Sequence, residues 1–396
     1  MTEKIFNCLY CGLTKPVSEE SLEHSIPQFM GGNIAPIRFE LKNVCTKCNN
    51  RLGLFVDASY AKSWLITNAL SEAAQTLCAN VTDPGLPLRC VGHAKIPGLQ
   101  VPEGHVAEYW LGPSGESTVW VRPHDDRMDS YSGGNPIDTK KKPSIAYFFP
   151  TSDNAVKFAL GIKSFNRTFA KRNVRKILCA EVSDSAGNQI KPSALEFDAS
   201  IAEDIANRAA ILAAIQSGNV PATIAFNLKF DLRFMCKLAL GIGYSLFRDD
   251  YLNDAMSIEA RKGLWPKQDE PISTLKGAST LHIDGANLAQ IAGYPGAVAI
   301  MVMRVGASWI LKVSIDQKLP FVISLGSKSM TSPCVNSEEG YSLLLFPYLD
   351  KSIELTTATL IAHRIGASKH AELEKIDEKI RLASLFNVQI SSLDIS

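Results

Sequence analysis

Two CxxC pairs near the start of the chain, Cys8-Leu9-Tyr10-Cys11 and Cys45-Thr46-Lys47-Cys48, restrict its folding more than any other feature. Each pair sets two sulfurs on one tight turn, and four soft thiolates can hold a single Zn²⁺ tetrahedrally. The intervening chain must then double back so that the two knuckles meet. Gly12, directly after the first pair, suits the turn such a knuckle requires. A four-thiolate shell leaves the metal no open position, so the zinc expected on Cys8, Cys11, Cys45 and Cys48 is structural. In so short a segment its binding energy is also folding energy. The remaining cysteines, Cys78, Cys90, Cys179, Cys236 and Cys334, are scattered singly and read as small core residues.

Between the pairs lies Ser21-Leu22-Glu23-His24-Ser25-Ile26-Pro27, followed by Phe29-Met30-Gly31-Gly32-Asn33. The second pair runs directly into Asn49-Asn50-Arg51-Leu52-Gly53-Leu54-Phe55-Val56-Asp57. The E-H-x-I-P-x-x-x-G-G core and the C-x-x-C-N-N-x-x-G-x-x-x-D end, in this order between zinc knuckles, resemble the zinc-containing branch of the HNH endonuclease family over residues 5–65. The resemblance implies an α+β chain: a treble-clef, ββα-metal module with its four-Cys zinc, then a larger mixed α/β C-terminal region. It also implies that a hairpin carries Glu23 and His24, that a helix from the second knuckle supplies another ligand, and that one divalent cation sits between them.

Mg²⁺ or Mn²⁺ suits the donors that this resemblance singles out. Glu23 offers a hard anionic oxygen and Asn49 or Asn50 a neutral amide oxygen, leaving positions for phosphate and water. His24 then takes the role of general base toward the attacking water. Phage junction-resolving members carry their metal-binding Asn directly after the last zinc cysteine, which maps to Asn49; helical geometry instead sets Asn50 and Asp57 on one face. Many members have a further His about two turns on, and here Asp57 is the nearest substitute oxygen ligand. Plainer readings stand beside these: Glu23 as a solvated strand-end charge, His24 as a packed ring, Asp57 as an exposed helix residue. Gly31 and Gly32 read as a hairpin turn, and Pro27 as the end of a strand.

At 396 residues and 46% hydrophobic content the chain is long enough for two or three cores. Its formal net charge of +1 excludes binding nucleic acid by bulk positive charge, so contacts must be local. Arg51 and the acid-free basic run of Lys163, Arg167, Lys171, Arg172 and Arg175, interleaved with Phe158, Phe165 and Phe169, are the candidates for a phosphate-tracking face. A solvated helix face with the Phe residues in the core is the alternative. The start, MTEKIFNCLYCG, lacks a signal-peptide h-region and no run of apolar residues is long enough to span a membrane, so a cytoplasmic protein is expected.

Pattern reading divides the chain into a zinc-stapled module over 1–65, a helix with a small β insertion and linker over 66–143, and a mixed α/β region over 144–396, splitting near 275. Helices are expected over 61–79, 155–172, 199–216, 231–248 and 360–385, and an antiparallel sheet over 280–349. The expected activity is hydrolysis of phosphodiester bonds in DNA, in a bacterial or phage defence setting. Two alternatives are a catalytically inactive nucleic-acid-binding protein and a nuclease gated by a ligand-sensing C-terminal region. A homodimer would suit double-strand cleavage, although no coiled-coil pattern appears. The histidines outside the module, His93 and His124 among them, show no ligand spacing and read as structural or surface residues.

Overall fold

The computed structural model describes residues 4–83, 85–151, 155–179, 197–198, 204–267, 273–278 and 293–392. The chain is mixed α/β and falls into two compact units, 1–61 with 227–379, and 62–226 with 380–396. The four-cysteine segment therefore shares its unit with the C-terminal sheet.

In the first unit, β1 (Ile5–Asn7) pairs with β2 (Thr14–Pro16), and β3 (Glu20–His24) pairs antiparallel with β4 (Glu40–Cys45). The connection from β3 to β4 is a series of 3-10 turns, not a tight hairpin turn. Gly31, at φ +94°, joins two of them in the left-handed conformation open to glycine. At Gly32 an added Cβ would lie 1.8 Å from the Ile26 carbonyl oxygen. These glycines thus serve close packing of the loop.

From β4 the chain enters α1 (Thr46–Leu52), a π turn (Gly53–Asp57) and α2 (Ala58–Ala61). The C-terminal sheet of this unit has the order β11 (Gly277–Ala278), β14 (Lys318–Ser327), β13 (Ser308–Ile315), β12 (Val298–Val305), β15 (Tyr341–Phe346), β16 (Lys351–Leu355), antiparallel throughout among the described residues. This is the antiparallel sheet expected from alternation; part of the segment before β12 lies outside the described residues. Helix α7 (Leu228–Phe247) is almost wholly buried over its apolar run Phe234–Leu240, and β14 packs on it together with α9 (Ala255–Leu264). Gly241 lets α7 approach closely, since a Cβ there would lie 2.8 Å from that of Ser25. The C-terminal helical stretch is two helices, α10 (Thr357–Arg364) and α11 (Ala371–Ser392), broken where Gly366 takes φ +75°.

In the second unit a six-stranded sheet runs β10 (Ala222–Thr223), β5 (Arg89–Ala94), β6 (His105–Leu111), β7 (Ser117–Pro123), β8 (Ser144–Phe149), β9 (Val174–Leu178) among the described residues. Among the described strands of this sheet only β8 and β9 pair in parallel, joined by α5 (Ala155–Phe169), the crossover such a pair demands. β7 and β8 pair directly across the polar 124–143 segment, so the strands on either side of it belong to one sheet. One face is covered by an aromatic core of Trp64, Trp110, Trp120, Phe148, Phe158, Phe165 and Phe169, and the other by Val119, Tyr147, Ile177 and Ile211. Helix α3 (Trp64–Leu77) matches the helix read over 61–79, and α6 (Ile205–Gln216) the C-terminal part of that read over 199–216, whose first residues lie outside the described set. No helix among the described residues is long and apolar enough to cross a membrane.

Candidate functional site

The four cysteines expected to share a metal converge. Their sulfurs all lie within 4.8 Å of one another. Cys8 and Cys11 flank the turn after β1, where the Gly12 amide donates to the Cys8 carbonyl at 2.8 Å and Gly12 takes φ +69°. Cys45 ends β4 as the N-cap of α1, and Cys48 lies in its first turn, where its contact with Cys8 and burial push its own thiol up. The Leu9 amide donates to the Asn43 carbonyl at 3.0 Å and locks the knuckles together. A hydrogen bond from Cys48, aided by backbone donors and opposed by burial, brings the Cys8 thiol down to about 4. From α9, the Arg261 guanidinium donates to the Leu9 carbonyl at 2.7 Å, beside this cluster of negative charge. Donor set, spacing and charge fit a structural zinc.

On β3 the alternation of a strand turns Glu23 inward, to 7% exposure, while Leu22 stands 50% exposed. Glu23 is therefore not a solvated strand-end charge. Asn49 leans back from α1 onto the same strand, its Nδ2 donating to the Leu22 carbonyl at 2.8 Å and to Ser21 Oγ at 3.3 Å. Its Oδ1 is the atom available for a ligand. Asn50 is exposed. The expected pairing of Asn50 and Asp57 on one helical face assumed unbroken α-helix, and the π turn over Gly53–Asp57 breaks that register by one residue.

Asp57 instead meets a residue to which sequence reading assigned no role. The Lys237 ammonium, fully buried on α7, lies 2.9 Å from Glu23 Oε1 and 2.9 Å from Asp57 Oδ2, and donates to the His24 carbonyl at 3.2 Å. Burial by itself would lower this lysine, but Asp57 and Glu23 together raise it. Burial likewise raises Glu23, and Lys237 only partly offsets that. The two directions are compatible, because the lysine faces two carboxylates and each carboxylate faces one ammonium. The formal count is two carboxylates to one ammonium. Asp57 Oδ1 and His24 Nδ1 are buried with no hydrogen-bond partner in the structure. The signal in the sequence was a lone lysine within the apolar run Phe234-Met235-Cys236-Lys237-Leu238-Ala239-Leu240.

Residues 8–65 match the HNH endonuclease family model. The HNH match begins at the first cysteine of the cluster and contains all four cysteines, Glu23, His24, Asn49 and Asp57. An HNH module suggests nuclease activity and a nucleic-acid partner. No curated protein and no solved structure matches the chain.

Outside the HNH module, the basic run read as a phosphate-tracking face is largely consumed by the fold. Lys163 Nζ donates to the carbonyls of Val81, Thr82 and Asp83, and Arg167 to that of Gly85. Half-buried Arg172 stacks over the Trp120 ring at 4.3 Å, and the loss of solvent around it brings it down to about 10. Arg175 pairs with Asp204 at 2.8 Å. Lys171 remains exposed. The run supplies packing and hydrogen bonds because its alternate residues face the aromatic core. Within the module, Arg51 is exposed and stacks over Trp265 at 4.2 Å.

Proposed function

We propose that the chain is a metal-dependent endonuclease that hydrolyses phosphodiester bonds, DNA being the substrate. The observation that carries this reading is the meeting of Glu23, His24 and Asn49 on one strand-helix junction held by the four-cysteine staple. The second oxygen of Glu23 and Asn49 Oδ1 would offer hard-oxygen donors to a divalent cation, beside a lysine that faces two carboxylates. Mg²⁺ or Mn²⁺ bound there would polarise the phosphodiester. His24 accepts the proton of the attacking water. Asp57 acts first as the second carboxylate of Lys237, in place of the missing third histidine. Cytoplasmic location and a defence role are consistent with this reading.

One observation favours a second reading. Lys237 engages both carboxylates, as in a site whose acids serve an ion pair alone, and a zinc-stapled nucleic-acid binder without catalysis would show the same contact. Plasmid cleavage with Mg²⁺ or Mn²⁺ separates the two. Nicking by the native chain, abolished in His24→Ala with its zinc retained, supports the nuclease; binding of equal strength in both proteins without any cleavage supports the binder.

A further inference from the structure

In the second unit, three residues that show no ligand spacing in sequence converge. His93 stands on β5, His124 directly follows β7, and a 3-10 turn over Asp126–Met128 returns the chain so that Asp129 faces both rings. His93 Nδ1 lies 3.4 Å and His124 Nε2 3.9 Å from Asp129 Oδ1, and all three ligand atoms lie within 4.8 Å of one another. Around a tetrahedral zinc with bonds of about 2.0–2.1 Å, neighbouring ligand atoms stand about 3.3 Å apart. The two separations from Asp129, 3.4 and 3.9 Å, are already near that value. The imidazoles are side-chain exposed to 18% and 24% and Asp129 to 43%, so the cluster opens to solvent on the carboxylate side.

Behind His93 lies the kind of outer support that orients a metal-binding imidazole. Glu108 is completely buried, with its Oε1 3.7 Å from His93 Nε2. That carboxylate is held by Arg122 at 2.5 Å, the Gly133 amide at 3.0 Å and the Trp110 indole at 3.1 Å. Arg122 Nη2 also lies 3.1 Å from His93 Nε2, and because a guanidinium only donates, the ring proton then sits on Nδ1 toward Asp129. Binding an ion at Nδ1 requires that proton to pass to Nε2, which in turn requires Arg122 to turn off the ring and Glu108, now 3.7 Å away, to draw in as its acceptor. No proton is lost. Asp126 Oδ1, 2.9 Å from His124 Nε2 and highly exposed, can swing in as a fourth ligand or yield to water.

We propose that His93, His124 and Asp129 form a second metal site, for a divalent transition-metal ion of which zinc suits two imidazoles and one carboxylate best. It is separate from the four-cysteine zinc and independent of the nuclease reading. The test is titration of the full chain, dialysed against a mild chelator, with Zn²⁺ by calorimetry and with Co²⁺ by absorption. A second equivalent is expected whose cobalt form lacks thiolate charge-transfer bands. Asp129→Asn and His124→Gln should each weaken it by more than the roughly 10–100-fold that outer-shell partners contribute, while the thiolate-bound equivalent and the thermal midpoint stay unchanged. A single equivalent in the native chain, or a second one that persists in both variants or shows thiolate bands, would overturn the proposal. Because Asp129 is substantially exposed, Asp129→Asn keeps the test valid if His124→Gln unfolds.

Discussion

Lys237 Nζ lies 2.9 Å from Glu23 Oε1, with the lysine side chain wholly removed from solvent. A helix from the C-terminal part of the chain thereby reaches the strand that carries the acid-His pair. The four-cysteine module is thus completed by a segment that the family match does not cover.

Lys237→Met should leave Glu23 and Asp57 facing each other without a cation, and removing one partner from a buried ion pair costs about 3–5 kcal/mol. Urea unfolding of the variant measures this. Adding Glu23→Gln and Asp57→Asn should recover much of the loss, since no buried charge then remains unpaired. A Lys237→Met protein as stable as the native chain would mean the ion pair does not hold in solution.

Cys45→Ser removes one thiolate and the sulfur at the N-terminus of α1. The variant is expected to lose its tightly held zinc and, with it, hydrogen-exchange protection in β3, β4 and α1, because the binding energy of a structural zinc is folding energy. Chelation of the native protein should give the same pattern. Retention of one zinc per chain, with protection intact, would place the metal elsewhere.

Gly32→Ala would set a methyl group 1.8 Å from the Ile26 carbonyl oxygen, a backbone atom that cannot step aside. The loop behind His24 must then shift, and destabilisation of about 3 kcal/mol or more is expected, at the large end for one substitution. Thermal melting checks it. Gly53→Ala is the control, as nothing lies within 4 Å of its added Cβ.

On β13, Lys312 is 2% exposed and burial brings its ammonium down to about 8. A base depressed in the folded state binds its proton more weakly there than in the unfolded chain, whose lysine titrates near 10.4. Its contribution is therefore largest above the unfolded value and falls as pH drops toward 8. The urea midpoint should rise from pH 8 to pH 10, and Lys312→Met should flatten that rise and be more stable at pH 7. An unchanged slope in the variant would assign the pH dependence to other groups.

The sequence by itself determined the zinc knuckles, the acid-His pair, the Asn after the last cysteine, and the antiparallel strands near the C-terminus. Those features are local: covalent spacing brings two thiolates onto one turn, and period-two alternation shows where a strand is half buried. Tertiary structure alone decided the partner of Glu23, the π turn that redirects Asp57, the stacking of Arg172 over Trp120, and the convergence of His93, His124 and Asp129. The same lysine or arginine code serves a solvated face, a phosphate contact or a buried ion pair. Which one it becomes depends on the elements that close over it, and those are set by long-range packing that no short window of sequence contains.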